Sequence, residues 1–254
     1  MPHLWRNFDV GPMSIPTTIS WPKEWGIDPD AFKSPSDLLS AVTAKFDEFQ
    51  KQFSEVVTQH QRDLPHLLAL MITHSWYPDF HFPIADSRAL ERCAVGGDFP
   101  AIERYLINYY RANAPGIEKR LLEEYPVRAP LLAEAFSAYH SGRYALAIPV
   151  FLAQADGISE QILSKHFFIF RDSKPAAEQL IRGGKLTDYG RLLLDPLVQT
   201  GTIRDHTRTL GSKTDYLNRH AIMHGGDPNY GTETNALKSI SLLAYLLLVN
   251  TFKA

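Results

Sequence analysis

The chain has 254 residues, of which 44% are hydrophobic and 21% are charged. This composition is typical of a folded globular protein and excludes dominant disorder. The single cysteine, Cys93, excludes a disulfide scaffold and fits a reducing compartment. The formal net charge of −2 argues against a general nucleic-acid coat, which needs a strongly basic surface. We find neither a signal-peptide pattern nor a membrane-length apolar run, so we expect a cytoplasmic protein without membrane contact.

The first 35 residues are predicted to form an extended arm. Six prolines forbid a long helix there: Pro2, Pro12, Pro16, Pro22, Pro29 and Pro35. Three tryptophans indicate that the arm lies against an apolar surface: Trp5, Trp21 and Trp25.

A long helix is predicted to begin at Ser36, because serine caps helices well and Asp37 follows in the first turn. Its apolar residues alternate between spacings of three and four, which is a helical seam: Leu39, Val42, Phe46, Phe49, Phe53 and Val56. The simpler interpretation is a face that packs into the core of the same chain. The alternative is a seam for a partner helix or for a second copy.

The remaining sequence also favours helices and contains no convincing strand pair, so the predicted fold class is all-α. We expect an N-terminal helical domain over residues 36–126 and a second helical domain over residues 127–254. Prolines and glycine pairs should break the helices of the first domain, with Pro65 and Pro115 among the breaks.

The second domain is predicted to open with a helical hairpin, residues 131–140 and 144–163, turned by residues 141–143. A later helix is expected to be capped by Ser212 or Thr214. It should end at His224, because two glycines follow and stop it. A last helix over residues 234–252 is apolar on nearly all sides and should therefore be buried.

Three cationic or titratable side chains crowd the end of that later helix: Arg219, His220 and His224. At 100° per residue, Arg219 points about 140° away from His224. Such a group suits a phosphodiester, because arginine stabilises charge on phosphorus and histidine transfers a proton. The alternative is core packing of satisfied imidazoles. A metal is not expected, because His220-x3-His224 lacks the glutamate of the metalloprotease pattern.

The Arg-x4-His motif of Arg219 and His224, with the polar His220 after the arginine, resembles the motif of the HEPN superfamily of small all-α proteins. The resemblance covers roughly residues 127–254, and it includes the glycine stop and the long apolar helix that follow the motif. It implies a C-terminal HEPN-like domain. It also implies a metal-independent endoribonuclease without a cofactor, acting in bacterial defence, toxin or stress systems.

The same resemblance implies a homodimer in which the arginine and the histidine of two protomers meet at one RNA phosphate. The RNA 2′-hydroxyl would be the nucleophile, leaving a 2′,3′-cyclic phosphate and a 5′-hydroxyl. Arg219 would stabilise the phosphorane, His224 would act as acid or base or orient the phosphate, and His220 would take the second polar position. Expected partners are RNA, a second copy and a regulatory or antitoxin protein, while the N-terminal half would sense, restrain or recruit.

Further residues are candidates for supporting this site. Asp156 and Glu160 lie on one helix face, and we hypothesise that one of them pairs with Arg219 or a histidine; the alternative is a solvated stripe. Residues just beyond the motif are expected to line the same cleft: Tyr230, Asn235 and Lys238. Basic residues before the motif are candidates for binding flanking phosphates: Arg204, Arg208 and Lys213.

Three other functions stay open on the sequence. The first is a non-catalytic HEPN-like module that binds RNA or a protein. The second is an all-α interaction protein whose working surface is the seam of residues 39–56. The third is a domain that a partner nucleotidyltransferase modifies, with Tyr230 or a nearby hydroxyl as the acceptor.

Overall fold

The computed structural model describes residues 34–79, 84–164 and 217–251, together with residues 167–168, 191, 194 and 202–203. These residues contain seven helices and no strand, which confirms the all-α prediction. The helices are α1 Pro35–Thr73, α2 Ile84–Val95, α3 Phe99–Glu124, α4 Ala129–His140, α5 Tyr144–Leu163, α6 Arg219–Met223 and α7 Glu233–Thr251. The predicted arm of residues 1–35 and the basic residues Arg204, Arg208 and Lys213 lie outside the described residues, apart from the start of α1.

The chain divides into two units, Met1–Thr58 and Gln59–Ala254. The expected division at residues 126 and 127 falls inside the second unit, where α3, α4, α5 and α7 share one hydrophobic core. Among the described helices, none combines the length and the hydropathy that crossing a bilayer requires.

The core of the second unit is built around α7. Every residue from Ala236 to Val249 is buried, which confirms the prediction of a last helix that is covered on all sides. This helix packs against α5 and α3, and α5 packs against α4. Its start is one residue earlier than predicted, because the Thr232 hydroxyl accepts a hydrogen bond from the Asn235 amide at 3.2 Å and caps the first turn.

The predicted hairpin is confirmed as α4 and α5. The turn between them passes through Gly142, whose φ of 70° lies in the left-handed region that glycine adopts without strain. The Arg143 amide donates to the Ala138 carbonyl at 2.8 Å, which satisfies one of the free acceptors at the end of α4.

Two features of the N-terminal half differ from the predictions. The first helix begins at Pro35 rather than Ser36, because the Ser34 hydroxyl accepts from the Asp37 amide at 3.2 Å and proline fits the first helical position. The helices also continue through Pro65 and Pro115. A proline removes one helix hydrogen bond, but neighbouring turns bury apolar side chains that offset this loss: Leu64, Leu67, Leu68, Ala114 and Ile117.

The interpretation of the α1 seam as a core-facing stripe is wrong. Four of its apolar side chains are exposed, by fractions from 47% to 67%: Leu39, Phe46, Phe49 and Phe53. None of the residues 36–58 is buried. Burial in α1 begins at Asp63 and Leu64, where the helix contributes to the core of the second unit.

The start of α7 is tied to α3 by a bidentate ion pair. The Arg111 guanidinium donates to both Glu233 carboxylate oxygens, at 2.7 and 2.9 Å. Hydrogen bonding from Arg111 holds the pKa of the Glu233 carboxyl below its usual range. A lowered carboxyl pKa stabilises the fold above the ordinary glutamate pKa, and this stabilisation is lost as the pH falls through the lower native value.

We therefore expect Glu233→Gln to lower the free energy of unfolding by about 0.5 kcal/mol at pH 7, because both partners are partly exposed. The difference from wild type should shrink at an acidic pH below the lowered pKa of the Glu233 carboxyl. Urea unfolding at the two pH values measures this. The control is Glu123→Gln, because Glu123 lies 3.9 Å from Lys119 in an exposed pair and should change nothing. An equal loss at both pH values would contradict the account.

Candidate functional site

The predicted motif lies on α6, a helix of only five residues, Arg219–Met223. The expectation that this helix starts from Ser212 or Thr214 is wrong, because Leu217 and Asn218 lie outside it and Asn218 is the N-cap. The predicted stop is confirmed, since His224 is the C-cap and Gly225 has a φ of 70°. The motif thus occupies one isolated turn, which needs tertiary contacts to hold it.

Asn218 provides the first of these contacts. Its side chain is 1% exposed and uses both ends of its amide. The Oδ1 atom accepts from the Ala221 amide at 2.8 Å, which caps α6, and the Nδ2 group donates to the Thr202 carbonyl at 2.7 Å. Because Asn218 forms hydrogen bonds with a backbone N–H of α6 and with the carbonyl of Thr202, it fixes where the turn begins.

The Thr202 side chain extends this anchor to the end of α1. Its hydroxyl donates to the Thr73 carbonyl at 3.0 Å and lies 2.7 Å from the hydroxyl of Ser75. The Ser75 hydroxyl lies 3.1 Å from the Leu217 carbonyl, so the two hydroxyl protons serve three short contacts, and Ser75 has a φ of 64°. A buried polar network of this kind specifies one arrangement of the segments that it joins.

The cationic side chains of α6 are only partly covered. The Arg219 guanidinium carbon lies 5.5 Å from the centre of the Phe168 ring, and the rings of His220 and His224 are 4.4 Å apart. Arg219 and His220 are partly exposed and His224 is exposed. Within the described part of the chain, no carboxylate binds the Arg219 guanidinium. This group is therefore available to an anion from outside.

Arg219 and His224 are five positions apart, which on an ideal helix corresponds to directions about 140° apart. His224 is the C-cap of α6, the residue that follows its last helical position. His220 lies next to His224, as a spacing of four positions favours.

The two carboxylates proposed to support the site do not pair with Arg219. The Asp156 carboxylate accepts the Phe168 amide at 3.2 Å, which places it near the ring that Arg219 covers. Glu160 is exposed and forms no hydrogen bond or ion pair with any described residue. This matches the alternative that it belongs to a solvated stripe of the helix. Among the described residues neither carboxylate forms an ion pair with Arg219, and pairing with a histidine stays a prediction.

Tyr230 and Asn235 brace the chain between α6 and α7. The Tyr230 hydroxyl donates to the Ala145 carbonyl at 2.9 Å, and the side-chain amide of Asn235 donates to the Tyr230 carbonyl at 3.0 Å. Gly231 packs so tightly there that a Cβ atom would lie 2.9 Å from the Ala145 Cβ atom. Ala145 is about 16 Å along α5 from Asp156, at 1.5 Å per residue. The structure thus gives both residues bracing contacts at the opposite end of α5 from Asp156.

Lys238 is buried rather than in a cleft, which corrects the expectation made for it. Its ammonium lies 3.0 Å from a Glu103 carboxylate oxygen and 5.6 Å from the centre of the Trp76 ring, and its side chain is 2% exposed. The Trp76 indole donates to the same carboxylate at 3.3 Å. Because α7 is covered on all sides, its lysine had to be paired inside the core.

A cavity lies at the turn between α3 and α4, and the sequence analysis did not predict it. It has a volume of about 470 Å³. It is lined by Glu124, Tyr125, Pro126, Val127, Arg128, Leu131, Gln154 and Gln161. The buried Tyr125 hydroxyl has no partner among the described residues, and burial raises its pKa to about 12. Gln154 and Gln161 face away from Asp156 on α5, so this cavity is separate from the α6 turn.

Comparison with known proteins gives no relative for this chain. No family model, no curated protein and no solved structure matches it. Among the described residues, no group of three histidine, cysteine, aspartate or glutamate side chains is placed to hold a metal ion.

The anchor of this turn is testable by mutation. We expect Asn218→Ala to lower the free energy of unfolding by about 2 kcal/mol, because it removes a cap and leaves a buried carbonyl unpaired. The matched control is Asn229→Ala, which removes an exposed amide six residues beyond α6 and should cost less than about 0.5 kcal/mol. Urea unfolding of the full chain measures both. Equal, small losses would show that the Asn218 amide does not hold the turn.

Proposed function

We propose that the protein is a metal-independent endoribonuclease of the HEPN type, which acts as a homodimer. The observation that carries this proposal is the α6 turn, which is held by buried hydrogen bonds. It presents a guanidinium without a carboxylate partner among the described residues, and its two imidazoles are adjacent to each other. This set of groups is complementary to a phosphodiester that passes through a more highly charged transition state.

The reaction needs only groups that RNA and the protein supply. The 2′-oxygen attacks the adjacent phosphorus and loses its proton to a base, and the 5′-oxygen leaves and takes a proton from an acid. The products are a 2′,3′-cyclic phosphate and a 5′-hydroxyl. His224 transfers a proton or orients the phosphate, and Arg219 stabilises the charge on the phosphorane oxygens. DNA should not react, because it lacks the 2′-hydroxyl.

The angular separation of the two side chains supports a site shared by two copies. Because the directions of Arg219 and His224 on an ideal helical turn differ by about 140°, groups from two facing copies approach one phosphate more directly than groups from a single copy. Two facing turns would place the guanidinium of one protomer near the histidine pair of the other. His220, whose ring lies 4.4 Å from that of His224, would then set the orientation of the His224 ring.

The resemblance also suggests the biological setting. An endoribonuclease of this kind suits a bacterial defence, toxin or stress response, in which a regulatory or antitoxin protein restrains cleavage.

We expect the purified full chain to cleave transfer RNA or total RNA in the presence of EDTA. His224→Ala should lower the cleavage rate by at least about 100-fold, since general acid–base catalysis contributes about 10²–10⁴-fold. The control is His66→Ala, because His66 is exposed and lies on α1. Circular dichroism and thermal unfolding check that both variants fold, and end-labelling identifies the cyclic phosphate.

Two results would overturn the enzyme assignment. If His224→Ala cleaves as fast as wild type, the activity does not come from this turn. If wild type binds RNA without cleaving it, the chain is the non-catalytic binding module of the same fold. Measuring RNA binding by wild type alongside cleavage separates these outcomes.

A further inference from the structure

The exposed seam of α1 has the period of a coiled coil. Its apolar residues fall on a strict seven-residue repeat, with Leu39, Phe46 and Phe53 at one core position and Val42, Phe49 and Val56 at the other. The rings of Phe49 and Phe53 stack with centroids 6.1 Å apart. Solvent reaches this stripe, because Phe49 is 52% and Phe53 is 59% exposed.

The residues beside the stripe carry little charge. The flanking positions hold Thr43, Gln50, Gln52 and Val57, and the flanking Lys45 pairs with Glu48 of its own helix at 3.0 Å. The other charges of this segment lie on the opposite, outward face: Asp37, Asp47, Lys51 and Glu55. Two such helices can therefore approach along their stripes without bringing like charges together.

We infer that residues 39–57 of α1 form a coiled-coil interface with the same segment of a second copy of this chain. A stripe with a 3.5-residue period packs best on another helix with that period, because each side chain enters a hole between four residues of the partner. Residues 1–35 do not offer such a helix, because their six prolines forbid one.

The area is sufficient for a dimer. Three phenylalanines, each about half exposed, present on the order of 300 Å². With Leu39 and Val57, the stripe presents about 500 Å² per copy, or about 1,000 Å² for two copies, which is the size at which a specific interface becomes credible.

This interface does not rest on the proposed ribonuclease activity. It uses residues 39–57, whereas the proposed catalytic groups lie on α6. A chain that dimerises through α1 and cleaves no RNA would support the interface and contradict the enzyme. The opposite result is also possible to recognise. If the chain cleaves RNA, but the α1 seam variant stays dimeric and the seam cysteines do not cross-link, the enzyme is supported and the α1 interface is contradicted.

Sedimentation of the full chain tests the interface. We expect wild type to be a dimer, and Phe46→Lys with Phe49→Lys to raise the dissociation constant at least about 100-fold. The matched control places two lysines on the outward face, Ala44→Lys with Asp47→Lys, and should sediment as wild type does. Circular dichroism checks that all three proteins fold. A monomeric wild type would overturn the proposal and leave the seam to residues 1–34 or to a different protein.

Cross-linking distinguishes this interface from any other contact between two copies. The variants Phe46→Cys and Phe49→Cys are made in a Cys93→Ser background. If the two helices are parallel, each variant should form an intermolecular disulfide with a second copy of itself. If they are antiparallel, the Phe46→Cys chain should cross-link to the Phe49→Cys chain. The control is Lys51→Cys, which lies on the outward face. If the seam cysteines cross-link no faster than this control, two copies do not meet along α1.

Discussion

The structure of the second unit depends on burying α7 on every side. A helix without a solvent face must satisfy each of its polar groups inside the protein. The lysine of α7 meets this demand through Glu103, which also accepts from the Trp76 indole. The Ser241 hydroxyl is satisfied by two hydrogen bonds. It donates to the Lys238 carbonyl at 2.7 Å and accepts from the backbone amide of Tyr77 at 3.2 Å. The segment after α1 is therefore held against α7 by the polar groups of that helix.

The same segment carries the anchor of the candidate site. Ser75 lies one residue from Trp76, and its hydroxyl contacts Thr202 and the carbonyl of Leu217. Asn218 then starts α6 and binds back to Thr202. The turn with Arg219 is in this way connected to α7, the most buried of the described helices, through a short series of hydrogen bonds. A single turn of helix would not hold its shape in water without such a connection.

The sequence predicted the elements whose signals are local. The hairpin of α4 and α5 has a glycine at its turn, and α7 is a long apolar run, so both could be read from neighbouring residues. The start of α6 could not be predicted in this way, because the partner that fixes Asn218 is Thr202, sixteen positions earlier in the chain. An asparagine three residues before Ala221 was nonetheless a usable cap signal.

The sequence predictions that were wrong for Lys238, Pro65 and the α1 seam also have physical causes. Lys238 looked like a cleft residue because lysine is rarely buried, and only the tertiary structure supplies Glu103 as its partner. The continuation of α1 through Pro65 depends on core packing that a local rule does not weigh. The period of the α1 seam was evident, but the same period serves a buried helix and a coiled coil. The HEPN resemblance stays a prediction, which experiments on the α6 turn must test.

We propose that Arg219 and His224 act together only when two copies face each other. Mixing two inactive variants, Arg219→Ala and His224→Ala, tests this claim. The account predicts that the mixture regains cleavage of RNA in EDTA after subunit exchange, because each mixed dimer holds one site with an intact arginine and an intact histidine. A mixture that stays inactive while mass spectrometry shows mixed dimers would contradict a site shared by two protomers.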